Sequence, residues 1–442
     1  MCDRINNVYG IFSNKLEVVH LKAYESNTHY ASKVRECSNF AVREIKKVCE
    51  QVGPRPAGYE GEEKAQDYVE KLMAPIADEV KREKFTLSPK AFMSWVTIDG
   101  ALALVAAILG ILAFTGFVPA IAGILHIVSV VLCVLAVFFI IGEFLFYKKV
   151  LDPFFKKKES SNVICKINAT GEVKRRIIIG GHMDSAYEWR YTYMGGPKLV
   201  TTVIVGAVLG LLTTLVVGII GLFTDSESAN IALIVIQAIV VPFMISVLFF
   251  VNWKLVVDGA NDDLTGVFTS MAALLYLKNN NIRFENTEVI AISMGAEEEG
   301  LRGSKAFAEA HGDEYKNDGV ETVFVALDTL RDYEFMGVVT KDMTGTVKLD
   351  TNACALMKKA SEIAEIPVAF TTIPLGATDA AAMQQGGIKS VAFTSMDPAP
   401  ARYYHTRLDK VNMLEMKTIE DTLKIVLETV FLFDEQGLKE TY

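Results

Sequence analysis

Thr287-Glu288-Val289-Ile290-Ala291-Ile292-Ser293 is an apolar, β-branched run, and it leads through Met294 into Gly295-Ala296-Glu297-Glu298-Glu299-Gly300-Leu301-Arg302-Gly303-Ser304. The first part fits a strand buried on both faces, as in a parallel sheet. The second sets three consecutive carboxylates in a glycine-bounded turn at the strand's end. Adjacent carboxylates repel one another and drive their pKa values upward unless cations lie nearby. A solvated acidic turn would explain the three residues alone, so their meaning depends on what the rest of the chain brings to them.

Working outward, strands alternate with helices. Upstream, Ser161–Ile167 and the Ile-rich Arg176–Gly181 read as strands, the second ending in Gly180-Gly181-His182-Met183-Asp184-Ser185. Val257-Asp258-Gly259-Ala260-Asn261-Asp262-Asp263-Leu264-Thr265-Gly266 then opens a helix to about Lys278. Downstream come a helix at about 303–311, a strand at Thr322–Leu327 closed by Asp328, helices at about 350–365 and 377–386, a strand at Ser390–Thr394 and a long terminal helix. At the front, apolar residues at helical spacing from Tyr30 to Val52 and again at about 60–74 flank the break Gly53-Pro54-Arg55-Pro56-Ala57-Gly58, and Lys84–Leu87 is a short strand. Val8, Ile11, Phe12, Leu16 and Val18 would pack as an N-terminal arm. The pattern predicts an α/β fold, with a mostly parallel sheet covered by helices on both faces. Ligands of such sheets gather beyond the carboxyl ends of the strands.

The chain has 442 residues, 51% of them apolar and only 22% charged. The excess is local. Two insertions, 91–150 and 197–254, each hold two apolar stretches (about 98–117 and 120–146; about 199–223 and 229–252), long enough at 1.5 Å per residue to cross roughly 30 Å of hydrocarbon. Without these two transmembrane hairpins, 1–90, 151–196 and 255–442 make up roughly 320 residues, the size of one large domain. Lys81, Arg82, Lys84, Lys148, Lys149, Lys156–Lys158, Arg190, Lys198 and Lys254 crowd the domain side of the spans, whereas both hairpin tips lack Lys and Arg. The positive-inside rule therefore predicts a multi-pass protein of a prokaryotic plasma membrane with its large domain in the cytoplasm. The six cysteines show no metal-knuckle or disulfide spacing, the first thirty residues no secretory signal, and a net charge of −9 argues against nucleic acid as a partner. Gly206 and Gly210 form a GxxxG pair whose partner helix belongs to this chain or to a second copy, so homo-oligomerisation through the membrane helices is one expectation. Asp99 and Glu143 sit near the domain-side ends of their spans, where solvation is expected.

Candidate metal donors all fall at strand ends. His182 and Asp184, two apart, project to one face and suit a ligand with an orienting partner. Asp262 and Asp263 would otherwise cap a helix; Asp328 would otherwise be a cap or turn residue; His405, in Tyr403-Tyr404-His405-Thr406-Arg407-Leu408-Asp409, would otherwise be a structural histidine. Together they offer imidazole and carboxylate without thiolate, which suits a zinc pair and also fits manganese or cobalt.

This series resembles the co-catalytic di-zinc aminopeptidases of metallopeptidase family twenty-eight, in order and context, including Gly-Pro-Arg-Pro-Ala-Gly upstream and Ser161-Asn162-Val163-Ile164 before the first ligand strand. The resemblance implies that His182 and Asp328 bind one Zn2+, that Glu298 and His405 bind the other, and that Asp262 bridges them. It also implies Glu297 as general base toward a water activated between the metals, Asp184 as the partner of His182, and hydrolysis of N-terminal residues from peptides. Tyr404 is a candidate donor to the oxyanion. Thr329 stands where family members often have Met, which leaves Asp332 as a substitute for Asp328, and Asp379 has no settled role. A glutaminyl cyclase on the same fold, needing one zinc, and a catalytically silent receptor or scaffold are the alternatives; endopeptidase or carboxypeptidase action is also compatible with these ligands. The second hairpin interrupts the loop between His182 and Asp262, so the site's mouth is expected near the bilayer, with apolar peptides as substrates.

Overall fold

The computed structural model describes residues 22–224, 226–399 and 401–442. The expected N-terminal arm around Val8–Val18 and residue Asp225 of the second hairpin turn lie outside them. In chain order the elements are α1 (Tyr30–Gln51), α2 (Glu60–Met73), β1 (Glu79–Leu87), α3 (Ala91–Phe114), α4 (Ala122–Phe139, continued by a π-turn over Ile140–Leu145), β2 (Lys158–Ile167), β3 (Arg175–His182), β4 (Tyr187–Trp189), α5 (Arg190–Gly221), α6 (Glu227–Val247), β5 (Val251–Val256), α7 (Leu264–Asn279) and β6 (Thr287–Met294). There follow α8 (Arg302–Asn317), β7 (Glu321–Leu330), β8 (Met336–Asp342), β9 (Val347–Lys348), α9 (Thr351–Ile363), β10 (Ala369–Thr372), α10 (Asp379–Gln385), β11 (Lys389–Ser395) and α11 (Met416–Gln436).

The large sheet runs β1-β2-β6-β3-β7-β11-β8-β10, with β9 beside β8. Its four central strands, β6, β3, β7 and β11, are mutually parallel, and they are the continuous apolar runs of the sequence. Burial by two groups of helices, α7 with α11 and α8 with α10, is what those runs require. The antiparallel strands β1, β2 and β8 flank this parallel centre. β4, β5, β8, β9 and β10 have no counterpart in the sequence reading. They are short or lie away from the sheet centre, and β8 carries Gly337, so neither length nor apolar continuity marks them.

Each insertion leaves and returns through a strand pair, the first in the large sheet and the second in a separate two-stranded sheet, β4-β5. Leu87, the last residue of β1, pairs with Lys158, the first of β2, which closes the first insertion. Tyr187 of β4 pairs with Val256 of β5, which closes the second. A strand pair at the neck lets some sixty residues be inserted without moving the strands on either side.

Among the described residues, four helices are long and apolar enough to cross a membrane by length and composition: Ala91–Phe114, Pro119–Leu145, Arg190–Gly221 and Glu227–Val247. The expected spans need three corrections. The first helix begins at Ala91 rather than near 98, so Asp99 falls two turns inside it and is buried, not solvated. Glu143 is likewise buried and accepts a hydrogen bond from the Leu151 amide at 2.5 Å. The fourth helix stops at Val247 because residues 251–256 are needed as β5. α5 breaks at Gly196, whose φ of 62° and ψ of −156° no helix accommodates, and restarts at Pro197, a residue suited to a first helical position. Gly206 and Gly210 of α5 face Phe243, Val240 and Met244 of α6. The GxxxG face is therefore covered within the chain, and the expectation of oligomerisation through it is not supported.

Candidate metal centre

The centre is assembled at the carboxyl ends of β3, β6 and β7, together with the loop before α7 and the loop after β11. His182 is the last residue of β3, and its neighbour Gly181 lies so close to Asp263 that a Cβ would stand 2.3 Å from the Asp263 carboxylate. Asp262 lies between two imidazoles. Its Oδ1 is 3.2 Å from Nε2 of His182 and its Oδ2 is 3.1 Å from Nε2 of His405. Glu298 Oε2 is 3.3 Å from the same His405 nitrogen, and Glu297 Oε2 is 3.8 Å from His182 Nε2. Donor atoms of His182, Asp262 and Asp328 come within 4.8 Å of one another, as do those of Asp262, Glu298 and His405. His182, Glu297 and Glu298 form a third such group. Asp332, the substitute for Asp328, is in none of these groups; it pairs with Arg331 and accepts from Tyr403 Oη at 2.9 Å.

A layer of carboxylates behind the candidate ligands fixes them. Asp184 is fully buried and accepts from the amides of Glu297 at 2.9 Å and Glu298 at 3.0 Å, with Oδ1 also 3.4 Å from Nδ1 of His182. Glu62 of α2 accepts from the Ala296 amide, and Asn162 of β2 accepts from Gly295. The carboxylate turn is thus held by its backbone, which leaves the Glu297 and Glu298 side chains free to face the centre. Asp263 caps α7 and does more: it accepts from the amides of His182, Gly266 and Thr329, tying three ligand segments to one carboxylate. Asp409 accepts from the Asn261 and Asp262 amides, and the buried Arg55 guanidinium bonds the carbonyls of Met183, Asp258 and Gly259. Ala296, Thr329 and His405 hold positive φ (54°, 50° and 51°), a conformation costing about 1–3 kcal/mol at non-glycine residues and kept where surrounding bonds over-determine it.

The electrostatics are those of a cation site. Burial, with the charges of Glu298, Asp379 and Asp328, pushes the Glu297 carboxyl well above its ordinary range against the opposing charge of His182. Burial and Asp262 raise Asp328 to about 7, and burial raises Asp379 to about 6. For Asp262 burial works the same way, but hydrogen bonds to both imidazoles outweigh it and hold the carboxyl below its usual value. Glu298 Oε1 and His405 Nδ1 are buried without a hydrogen-bond partner. Clustered carboxylates and orphaned donor atoms of this kind fit divalent metal, and nitrogen and oxygen donors without sulfur fit zinc.

Several contributors carry no signal in the sequence. Trp189, at the neck of the second insertion, donates its amide to the His405 carbonyl at 2.8 Å and sets its ring edge-on to the imidazole, 4.6 Å between centroids. Tyr404 stacks on His405 at 3.9 Å and meets the Trp189 ring edge-on at 5.6 Å. Glu188, beside Trp189, forms a two-bond fork with Arg407, so the His405 loop is fastened to the base of the hairpin. Tyr147, from the end of the first insertion, joins Glu297, Glu298, Tyr404 and His405 in the wall of one cavity. Tyr404 is among the sequence candidates, and Asp263 and Asp409 could have been suspected from their place in the quoted motifs.

The profile of peptidase family M28 matches residues 246–430, which include Asp262, Glu297, Glu298, Asp328 and His405 but not His182. No curated protein matches the sequence. Among solved structures, the aminopeptidase from Aneurinibacillus sp. strain AM-1 is similar with a TM-score of 0.51 at 14% identity, over 93% of this chain and 95% of that one. The zinc aminopeptidase BSAP from Bacillus subtilis is similar at 0.52 and 14%, over 89% and 94%. Fimbriiglobus ruber glutaminyl cyclase is similar at 0.52 and 15%, over 89% and 95%. At these identities the likeness establishes the fold: a large sheet with a parallel centre, flanked by helices, of the zinc-aminopeptidase type. The family M28 match is confined to 246–430, and over the rest of the chain the likeness is one of fold.

Proposed function

We propose that the chain is a membrane-anchored, zinc-dependent aminopeptidase. The observation that carries this reading is the Asp262 carboxylate, with one oxygen toward His182 and the other toward His405, shared by two otherwise separate donor groups. His182 and Asp328 would hold one zinc and Glu298 and His405 the other, with Asp262 common to both. Zinc bound there supplies a water of lowered pKa and polarises the scissile carbonyl. Glu297 faces the same centre, and it takes the proton of the attacking water and returns it to the leaving amine. Asp184 orients His182 and, through their amides, Glu297 and Glu298. Tyr404 is the candidate donor to the developing oxyanion. Trp189 and Tyr147 wall the site against bulk water.

In this reading 1–90, 151–196 and 255–442 form the catalytic domain, while 91–150 and 197–254 are transmembrane hairpins with the catalytic domain in the cytoplasm. Surface apolarity supports it. The exposed large apolar residues among those described, save Tyr24, Phe154, Phe335, Phe370 and Leu375, all lie between Val105 and Phe249. Continuous apolar surface on that scale requires a bilayer or a partner.

The test is cleavage of matched free and N-acetylated peptides by purified wild type and Glu297→Gln, with zinc content measured on both. Cleavage of free amino termini only, lost by about 10²–10⁴-fold in a mutant that keeps two zinc ions, is the expected result. Glutaminyl cyclases share the fold, so an N-terminal Gln peptide is included. Release of ammonia from it without chain shortening, by a protein that binds one zinc, would replace the aminopeptidase reading with a cyclase.

A further inference from the structure

A cavity of about 220 Å3 runs from the metal centre into the space between the apolar helices. At one end its wall is Glu297, Glu298 and His405. Along α3 it then follows Phe92, Val96, Asp99 and Ala103, which share one helix face. Eleven residues at 1.5 Å each give a track of about 16 Å. The near part lies in the packed layer of Val96, Val203 and Phe250, and the far part in that of Ala103, Leu211 and Met244. The walls supplied by α3, α5 and α6 contain one ionisable group, Asp99. It is 6% exposed, and neither carboxyl oxygen has a hydrogen-bond partner.

Lining and length choose the occupant. An apolar cavity of roughly 150 Å3 suffices to bind benzene, so this one has room for a group of at least that bulk. A track of about 16 Å whose helical walls carry a single ionisable group fits an extended hydrocarbon chain rather than a polar one.

We propose that the cavity receives a single long aliphatic chain of the substrate, so that the enzyme hydrolyses amides of amphiphiles whose tails lie within the helix bundle. This rests on the hydrolytic reading of the centre and goes beyond it. The water oxygen adds to the carbonyl carbon, the C–N bond breaks, the acyl part leaves as carboxylate, and the nitrogen takes a proton and leaves as amine. The chain is borne either by the residue with the free amine or by a fatty acyl group. Asp99 is a specificity-determining residue: a plain alkyl chain leaves its carboxyl unpaired, whereas a tail carrying a hydrogen-bond donor at that depth engages it.

The experiment uses full-length protein in phospholipid nanodiscs. Activity is read on p-nitroanilides of alanine, norleucine, 2-aminodecanoic acid and 2-aminotetradecanoic acid, and on N-dodecanoyl-alanine. Binding is read on metal-free protein as quenching of Trp95 and Trp189, both in the cavity wall, by 11-bromoundecylamine. A rise in kcat/KM of at least tenfold from alanine to 2-aminodecanoate is expected, or cleavage of the N-acyl compound, and the faster series identifies which side bears the chain. Ala103→Phe, and Ala207→Phe should the first not fold, ought to weaken quenching and lower long-chain kcat/KM at least tenfold while leaving the alanine substrate unchanged. Asp99→Leu should raise kcat/KM for plain alkyl chains at least fivefold. A flat dependence on chain length without cleavage of the N-acyl compound, equal loss on all substrates in the Phe variants, or no quenching overturns the proposal. Quenching that Ala103→Phe abolishes, in a wild type that cleaves neither series, keeps the tail site and overturns the hydrolytic reading instead.

Discussion

Asp184→Asn tests how the centre is held. The buried Asp184 carboxylate accepts two amides, from Glu297 at 2.9 Å and Glu298 at 3.0 Å. Asparagine preserves the shape but turns one acceptor into a donor facing an N–H. The loss is one charge-assisted hydrogen bond, and two donors are left opposed in a buried place, together costing about 2–4 kcal/mol. A second effect falls on the metal. His182 loses a carboxylate 3.4 Å from Nδ1, and the Glu298 backbone loses its anchor, which for partners of this kind weakens metal binding about 10–100-fold. Two assays separate the effects: denaturant unfolding of metal-free protein in detergent reads the first, and competition with a zinc chelator reads the second. An unfolding free energy within about 0.5 kcal/mol of wild type would refute the hydrogen-bond reasoning. Normal stability loss with wild-type zinc affinity would instead refute the claim that the turn's backbone sets the ligand geometry.

Asp262→Ala should empty both metal positions, whereas Asp328→Ala should leave one zinc per chain, as metal analysis after gel filtration would show; equal loss in both would contradict a shared Asp262. Gly206→Leu should destabilise the helical part by about 1–3 kcal/mol, because a Cβ there would stand 2.2 Å from the Phe243 ring, while Gly123→Leu, with nothing within 4 Å, should leave the melting temperature unchanged. Glu428 gives a pH signature away from the metal centre: burial pushes its carboxyl up to about 7, and it accepts from the Ala23 amide at 3.0 Å. With a raised acid the folded state holds the proton longer, so stability is full below about pH 4.5 and falls as pH rises toward 7. Glu428→Gln should match wild type at pH 4 and exceed it by up to roughly 3 kcal/mol at pH 8, in urea titrations at the two pH values; an equal difference at both would sink the assignment.

The four parallel strands were legible because each is a continuous apolar run, and their period and length are local properties of the chain. The candidate ligands were legible for a related reason: His182, Asp262, Glu297, Glu298 and Asp328 each sit at the end of such a run or in a glycine-bounded turn beside one. The four apolar helices followed from length alone, although their ends did not. The start of α3 at Ala91 and the end of α6 at Val247 depend on which flanking residues the necks recruit into strands, and β5 is held by pairing with β4 across more than sixty positions. The doubt between Asp328 and Asp332 was likewise beyond the sequence, since both follow the same strand and only side-chain direction separates them.

Tertiary structure alone decided what surrounds the ligands. Asp263 reads as a helix cap and is also the acceptor that joins three ligand segments; Asp184 reads as one neighbour of His182 and also carries the Glu297–Glu298 backbone. The cavity is the clearest case. Val96, Tyr147, Trp189, Met244, Glu298 and His405 line one space although they span more than three hundred residues of chain. Periodicity reports which face of an element is apolar. Which faces meet, and whether they close fully or leave a channel, is fixed by the β1–β2 and β4–β5 necks that set both hairpins beside the carboxyl ends of the central strands.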